Sequence, residues 1–121
     1  MNKVFFEIEY PKKIGEYGMN AIYAGKHWTK RIKDAEYWHY LTHSALNRAK
    51  IPKKALFKKP VQITLYWNDR MDIDNHTYMG KMIVDALKGR LIEDDTRKYF
   101  AKVSYQFWDR KTIGVEVEEI D

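Results

Sequence analysis

Between Val61 and Leu87 the spacing of the apolar residues changes abruptly, and the change brackets a short acidic run. Val61, Ile63, Leu65 and Trp67 alternate, which is the period of a strand with one buried face. Met79, Met82, Ile83, Ala86 and Leu87 recur every three or four residues, the period of a helix laid on a core. Between them runs Asn68-Asp69-Arg70-Met71-Asp72-Ile73-Asp74-Asn75. A chain that makes this switch carries its carboxylates at the end of a strand and the start of a helix. Gly89 stands where such a helix ends on a left-handed residue.

The flanking segments supply the rest of a small layered fold. Val4 to Tyr10 alternates, with Phe6, Ile8 and Tyr10 on one face, and Pro11 ends it. Residues 12–27 hold Gly15, Gly18 and Gly25 without a steady period and read as a long loop. From Thr29 to Ala49 a helical stripe runs through Ile32, Ala35, Trp38, Leu41 or Thr42, Ala45 and Ala49, and Pro52 stops it. Tyr99 to Trp108 reads as a strand, Asp109-Arg110-Lys111 as a hairpin turn, and Ile113, Val115 and Val117 as a last strand. The order β-α-β-α-β-β predicts a single α+β domain over residues 1–121. Its mixed sheet has about four strands, with two helices packed on one face.

A chain of 121 residues buries roughly two-thirds of its unfolded surface, enough for one core. There is no cysteine, which excludes disulfides, zinc-thiolate sites and thiol nucleophiles and suits a reducing compartment. No signal-peptide pattern opens the chain, and no segment approaches the roughly 20 apolar residues of a membrane span. The expectation is a cytoplasmic protein without a membrane segment. The net charge of +5 favours a polyanionic partner. Lys26, Lys30, Arg31 and Lys33 are interleaved with Tyr23, His27 and Trp28. These four cations, with Arg70 and Asn75, are the expected DNA contacts. The alternative for them is a solvated helix face.

Asp72 and Asp74 follow one strand, and Asp94 and Asp95 precede another. If those strands are neighbours, the carboxylates are expected to converge, and converging like charges need a cation or protons. Mg²⁺ suits an oxygen-only set, retains waters and accepts phosphate oxygens, with Mn²⁺ as a substitute. Taken singly, Asp74 or Asn75 could be a helix cap and Asp94-Asp95 a polar turn. Together with a basic chain they match what phosphodiester hydrolysis requires. An EF-hand is excluded, since Thr77 replaces its glycine and Ile83 its closing glutamate. His39 and His43 have zincin spacing but lack the glutamate that supplies the base. No P-loop or nucleophile elbow is present.

Taken as a set, Asp72-Ile73-Asp74-Asn75, Lys81, Met82-Ile83-Val84-Asp85-Ala86-Leu87 and Leu91-Ile92-Glu93-Asp94-Asp95 resemble the RusA-type Holliday-junction resolvase family, whose members include phage and prophage proteins. Met19-Asn20-Ala21-Ile22-Tyr23 adds to the likeness, which spans nearly the whole chain in element order. The resemblance implies a homodimer that binds branched DNA, above all four-way junctions, and makes Mg²⁺-dependent paired nicks. It implies that Asp72, Asp74 and Asp95 are the metal-binding aspartates, with Asp94 beside them, and that Lys81 is the catalytic lysine. One departure stands out. Lys81 is six residues after Asn75 where the family places its lysine three after, and Tyr78 holds the nearer position. Lys81 could instead pair with Asp85 on the next turn. Two other functions fit the same residues: a non-catalytic basic DNA-binding module, or a related nuclease acting on forks, flaps or duplex DNA.

Overall fold

A computed structural model describes residues 2–120. Strands β1 (Lys3–Ile8), β2 (Val61–Trp67), β3 (Phe100–Phe107) and β4 (Ile113–Glu119) form one mixed sheet in the order β1-β4-β2-β3. β4 is antiparallel to β1 and β2, whereas β2 and β3 are parallel. Helices α2 (Trp28–Arg48) and α3 (Thr77–Leu87) pack on one face. This is the expected α+β architecture. No helix among the described residues is long and apolar enough to cross a membrane.

The core follows from the alternation in the strands. Val4, Phe6 and Ile8 meet Ile63, Leu65, Trp67, Ile113, Val115 and Val117 on the covered face, where Trp38, Leu46, Met79, Ile83 and Leu87 close over them. Each fully buried side chain of this size contributes about 1.5–3 kcal/mol. The opposite face is open and mixed. Trp108 stacks on Tyr66 at 5.1 Å and meets Phe5 edge-on at 5.9 Å, and Lys3 pairs with Glu116 at 3.2 Å.

Three local expectations change. Residues 12–27 are not a plain loop: they hold a 3-10 turn (Ile14–Tyr17) and a short helix α1 (Met19–Tyr23). A five-residue helix is too short to show a period; tertiary contacts fix these elements instead, with Tyr17 of the turn edge-on to Trp38 at 5.5 Å and the Asn20 N–H of α1 donating to Asn75 Oδ1 at 2.7 Å. The stripe on α2 is buried only from Trp38 onward, through Thr42, Ala45 and Leu46. Ile32 and Ala35 lie on the exposed first half of that helix, and Ala49 lies just past its end. Asp109-Arg110-Lys111 is not a hairpin turn, because β2 lies between β3 and β4. The segment crosses the end of β2, where Asn68 Nδ2 donates to the Arg110 carbonyl at 2.8 Å. Gly89 does adopt positive φ, at 82°. It follows the extended Lys88 in a Leu87-to-Arg90 turn closed by a 3.1 Å hydrogen bond, the geometry of a type II turn.

α3 approaches β3 closely because of Gly80. A Cβ there would lie 2.1 Å from the Tyr105 hydroxyl and 2.8 Å from its ring. Gly80→Ala is expected to lose stability, because overpacking of roughly 1–3 kcal/mol outweighs the helix propensity gained, about 1 kcal/mol. Urea denaturation measures this, and a variant at least as stable as the parent contradicts the packing.

Candidate active site

β2 ends at Trp67, and the chain folds back on itself through Asp69 to His76 before α3 begins. The Asp69 carboxylate accepts the Met71 N–H at 3.0 Å and the Tyr10 hydroxyl at 2.9 Å. Its two oxygens stand 2.8 and 2.9 Å from His76 Nε2. Burial is the main cause that raises the Tyr10 phenol well above its ordinary pKa, so it stays protonated as a donor. His76 is fully buried, with its ring 4.4 Å from that of Trp67 and edge-on to Phe107 at 5.9 Å.

Inside this closed loop, Ile73–His76 is a 3-10 turn, and the Asp72 carbonyl accepts the Asn75 N–H at 3.0 Å. Asp72 and Asp74 are exposed, and their carboxylates have no hydrogen-bond or ion-pair partner among the described residues. α3 starts after His76 without a side-chain cap. Capping therefore does not account for Asp74. Asn75 does not cap the helix either: its Oδ1 accepts the Asn20 N–H at 2.7 Å and ties α1 to the acidic loop. Gly18 permits that approach, since a Cβ there would lie 2.6 Å from the Asn75 amide nitrogen.

The second acidic pair lies elsewhere. α3 is the crossover between parallel strands, so the end of β2 and the start of β3 fall at opposite ends of the sheet. Asp94 and Asp95 therefore do not join Asp72 and Asp74 as the sequence suggested. Among the described residues, no group of three or more His, Asp or Glu could hold a metal ion. Asp94 Oδ1 accepts the Asp95 N–H at 2.8 Å. Asp95 meets Lys81 at 3.1 Å and Lys88 at 3.2 Å, and Asp85 meets the same lysines at 2.8 and 3.5 Å. Lys81 thus takes both Asp85 and Asp95. Hydrogen bonds from Lys81 and Lys88 hold the Asp95 carboxyl down at about 2.

The two regions adjoin along α3. Asp74, Asn75 and Thr77 line a cleft of about 270 Å³ with Met19, Asn20 and Tyr23. Thr77 also borders a cleft of about 310 Å³ lined by Lys81, Val84, Asp95 and Tyr105. From Thr77 to Lys81 the helix rises by about 6 Å.

The basic residues divide likewise. Lys26 is largely buried: it pairs with Asp34, donates to the Glu16 carbonyl at 2.8 Å and lies over the Tyr17 and Tyr78 rings. Its charge ties the α1–α2 connection to α3, where Tyr78 donates to Asp34 at 2.8 Å, so it is not offered to a phosphate. Lys30, Arg31 and Lys33 are exposed on the first turns of α2, and Arg70, two residues before Asp72, is exposed as well. Lys30 and Lys33 border an open cleft of about 660 Å³ that shares α1 with the Asp74 cleft.

The donor chemistry fits a hard cation. Mg²⁺ is commonly held by one or two carboxylates, with water and phosphate oxygens completing its octahedron. Asp72 and Asp74 supply two uncompensated carboxylates of that kind. The residues that sequence reasoning missed are Asp69, His76, Tyr10 and Gly18. The roles of Tyr10 and Gly18 depend on contacts between distant segments, and only the spacing of Asp69 and His76, seven positions apart around the acidic pair, was visible in the sequence. No protein-family model matches the chain, and no curated protein matches it.

The depressed Asp95 carboxyl gives a direct check. Its stabilising contribution is fully present above its ordinary value of 3.8 and is lost as pH falls through about 2. Carboxyl NMR titration is expected to give a midpoint near 2 that rises toward 3.8 in a Lys81→Met/Lys88→Met variant. An unmoved midpoint contradicts the pairing.

Proposed function

We propose that this chain is a Mg²⁺-dependent, structure-selective DNA endonuclease that resolves four-way junctions by paired symmetric nicks, acting in recombination and repair. The observation that carries this reading is the state of Asp72 and Asp74: two exposed, unpaired carboxylates on a loop whose other polar groups are largely hydrogen-bonded. Support comes from the order of motifs shared with the RusA-type resolvases and from the parallel β2-α3-β3 unit on which those motifs lie.

Asp72 and Asp74 would hold the ion, with Mn²⁺ an acceptable substitute. When bound, it supplies an activated water and positive charge at the phosphoryl oxygens. Lys81 is exposed and lies a turn beyond Thr77, where its ammonium stabilises phosphate charge. Asp85 and Asp95 orient that ammonium, and this is how the second acidic pair enters the site. Lys30, Arg31, Lys33 and Arg70 hold the flanking backbone. Two symmetric nicks suit a two-fold homodimer.

The ladder of Lys81, Asp85, Lys88 and Asp95 favours a second reading, in which these charges are structural and the chain is a non-catalytic basic DNA-binding module. Cleavage of a labelled four-way junction, beside fork, flap and duplex controls, with and without Mg²⁺, separates the two. The expected result is Mg²⁺-dependent symmetric nicks on the junction. Asp72→Asn should abolish them while binding in EDTA is retained, and Lys81→Ala should lower the rate by roughly 10²–10³-fold. Binding without products on any substrate favours the module, and preferential cutting of forks, flaps or duplex moves the substrate assignment.

A further inference from the structure

The loop from residue 69 to residue 76 is tied down at several points. Asp69 is held through its carboxylate, Met71 through its N–H, Ile73 through its carbonyl and His76 through both ring nitrogens. Asp72 and Asp74 lie among these positions and are tied only through their carbonyls, to Asn75 N and to Thr77, so that theirs are the free carboxylates. Asp69 itself is spent. Its side chain is 8% exposed, and its two oxygens face Met71 N, Tyr10 Oη and His76 Nε2 within 3.0 Å. Buried and engaged by these three groups, it serves as an internal anchor.

His76 is equally closed to substrate. Its side chain is 0% exposed, Nε2 faces Asp69 and Nδ1 faces the Ile73 carbonyl at 3.1 Å. Tyr10 extends the cluster to the segment after β1: it donates to Asp69 and accepts the Asn68 N–H at 2.6 Å. The two ends of the loop are therefore fixed to each other through Asp69 and His76, one to a segment 59 residues away through Tyr10 and the other against Trp67 of β2.

We propose that Tyr10, Asp69 and His76 form a positioning cluster that presets the separation of the Asp72 and Asp74 carboxylates before a cation or DNA arrives. The proposal rests on the reading of Asp72 and Asp74 as ion ligands. These three residues touch neither ion nor DNA and act only through the loop. A preset pair of ligands needs little ordering on binding, and the partners that orient metal ligands influence affinity strongly.

Tyr10→Phe removes one hydroxyl and leaves the ring, so it spares the packing. Asp69→Asn is the harsher companion. Calorimetric Mn²⁺ binding without DNA, the Mg²⁺ dependence of junction cleavage, and the melting temperature are measured on the parent, both variants and Asp72→Asn. In both cluster variants Mn²⁺ affinity is expected to fall by roughly 10–100-fold. The Mg²⁺ midpoint for cleavage should rise by a similar factor, with the rate recovering at saturating Mg²⁺ and DNA affinity in EDTA unchanged. A lower melting temperature with unchanged Mn²⁺ affinity makes the cluster merely structural and overturns the proposal. So does a parent that binds no Mn²⁺, or binds it equally well as Asp72→Asn. If the parent binds Mn²⁺ through Asp72, loses affinity on Tyr10→Phe, and yet cuts no DNA, the positioning role stands and the nuclease reading falls.

Discussion

β2 is hydrogen-bonded along both edges, to β4 on one side and β3 on the other, and the chain leaves it through α3 to return as β3. A helical crossover returns the chain in the same direction, so β3 is parallel to β2. The placement of the charged residues follows from that constraint. The loop after β2 and the start of β3 are set at opposite ends of the sheet, and the two acidic regions adjoin along α3. The four aspartates that look like one cluster in the sequence separate: Asp72 and Asp74 stay a bare pair after β2, while Asp95 is ion-paired along the flank of α3 and Asp94 accepts its N–H.

The two arrangements resolve the same electrostatic problem differently. Asp95 and Asp85 are compensated within the protein by Lys81 and Lys88. Such exposed pairs add little stability, since solvent screens them and long side chains lose freedom in forming them. Their consequence is orientation, because they hold Lys81 at one place on the surface. Asp69 is compensated in the interior by hydrogen bonds from three sides. Asp72 and Asp74 have neither form of compensation. In the proposed function an ion completes them, and the exposed cations of α2 meet the DNA.

Much of this was legible in the chain. The alternation at Val61–Trp67 and the helical period to Leu87 fixed β2 and α3 almost to the residue, because each has one fully buried face. The ends of α2 were equally clear, but its buried stripe was not. Periodicity reports which residues share a face and not how much of that face the sheet covers, so Ile32 and Ala35 stay exposed. Strand order was invisible: Asp109-Arg110-Lys111 has hairpin composition, yet β4 pairs across β2. The exposed acidic pair was found by pattern. Its supports were not, because Tyr10, Gly18 and Asn20 reach it from more than 50 residues away.

The proposed function requires that Asp72 and Asp74 together hold a divalent cation. Paramagnetic broadening of backbone amide signals by substoichiometric Mn²⁺ tests it without reference to any substrate. Broadening is expected to be centred on residues 71–77, weaker along the Asp94-Asp95 segment, and abolished by Asp72→Asn. Broadening centred on residues 93–95, or spread evenly over the acidic surface and unaffected by that substitution, contradicts it.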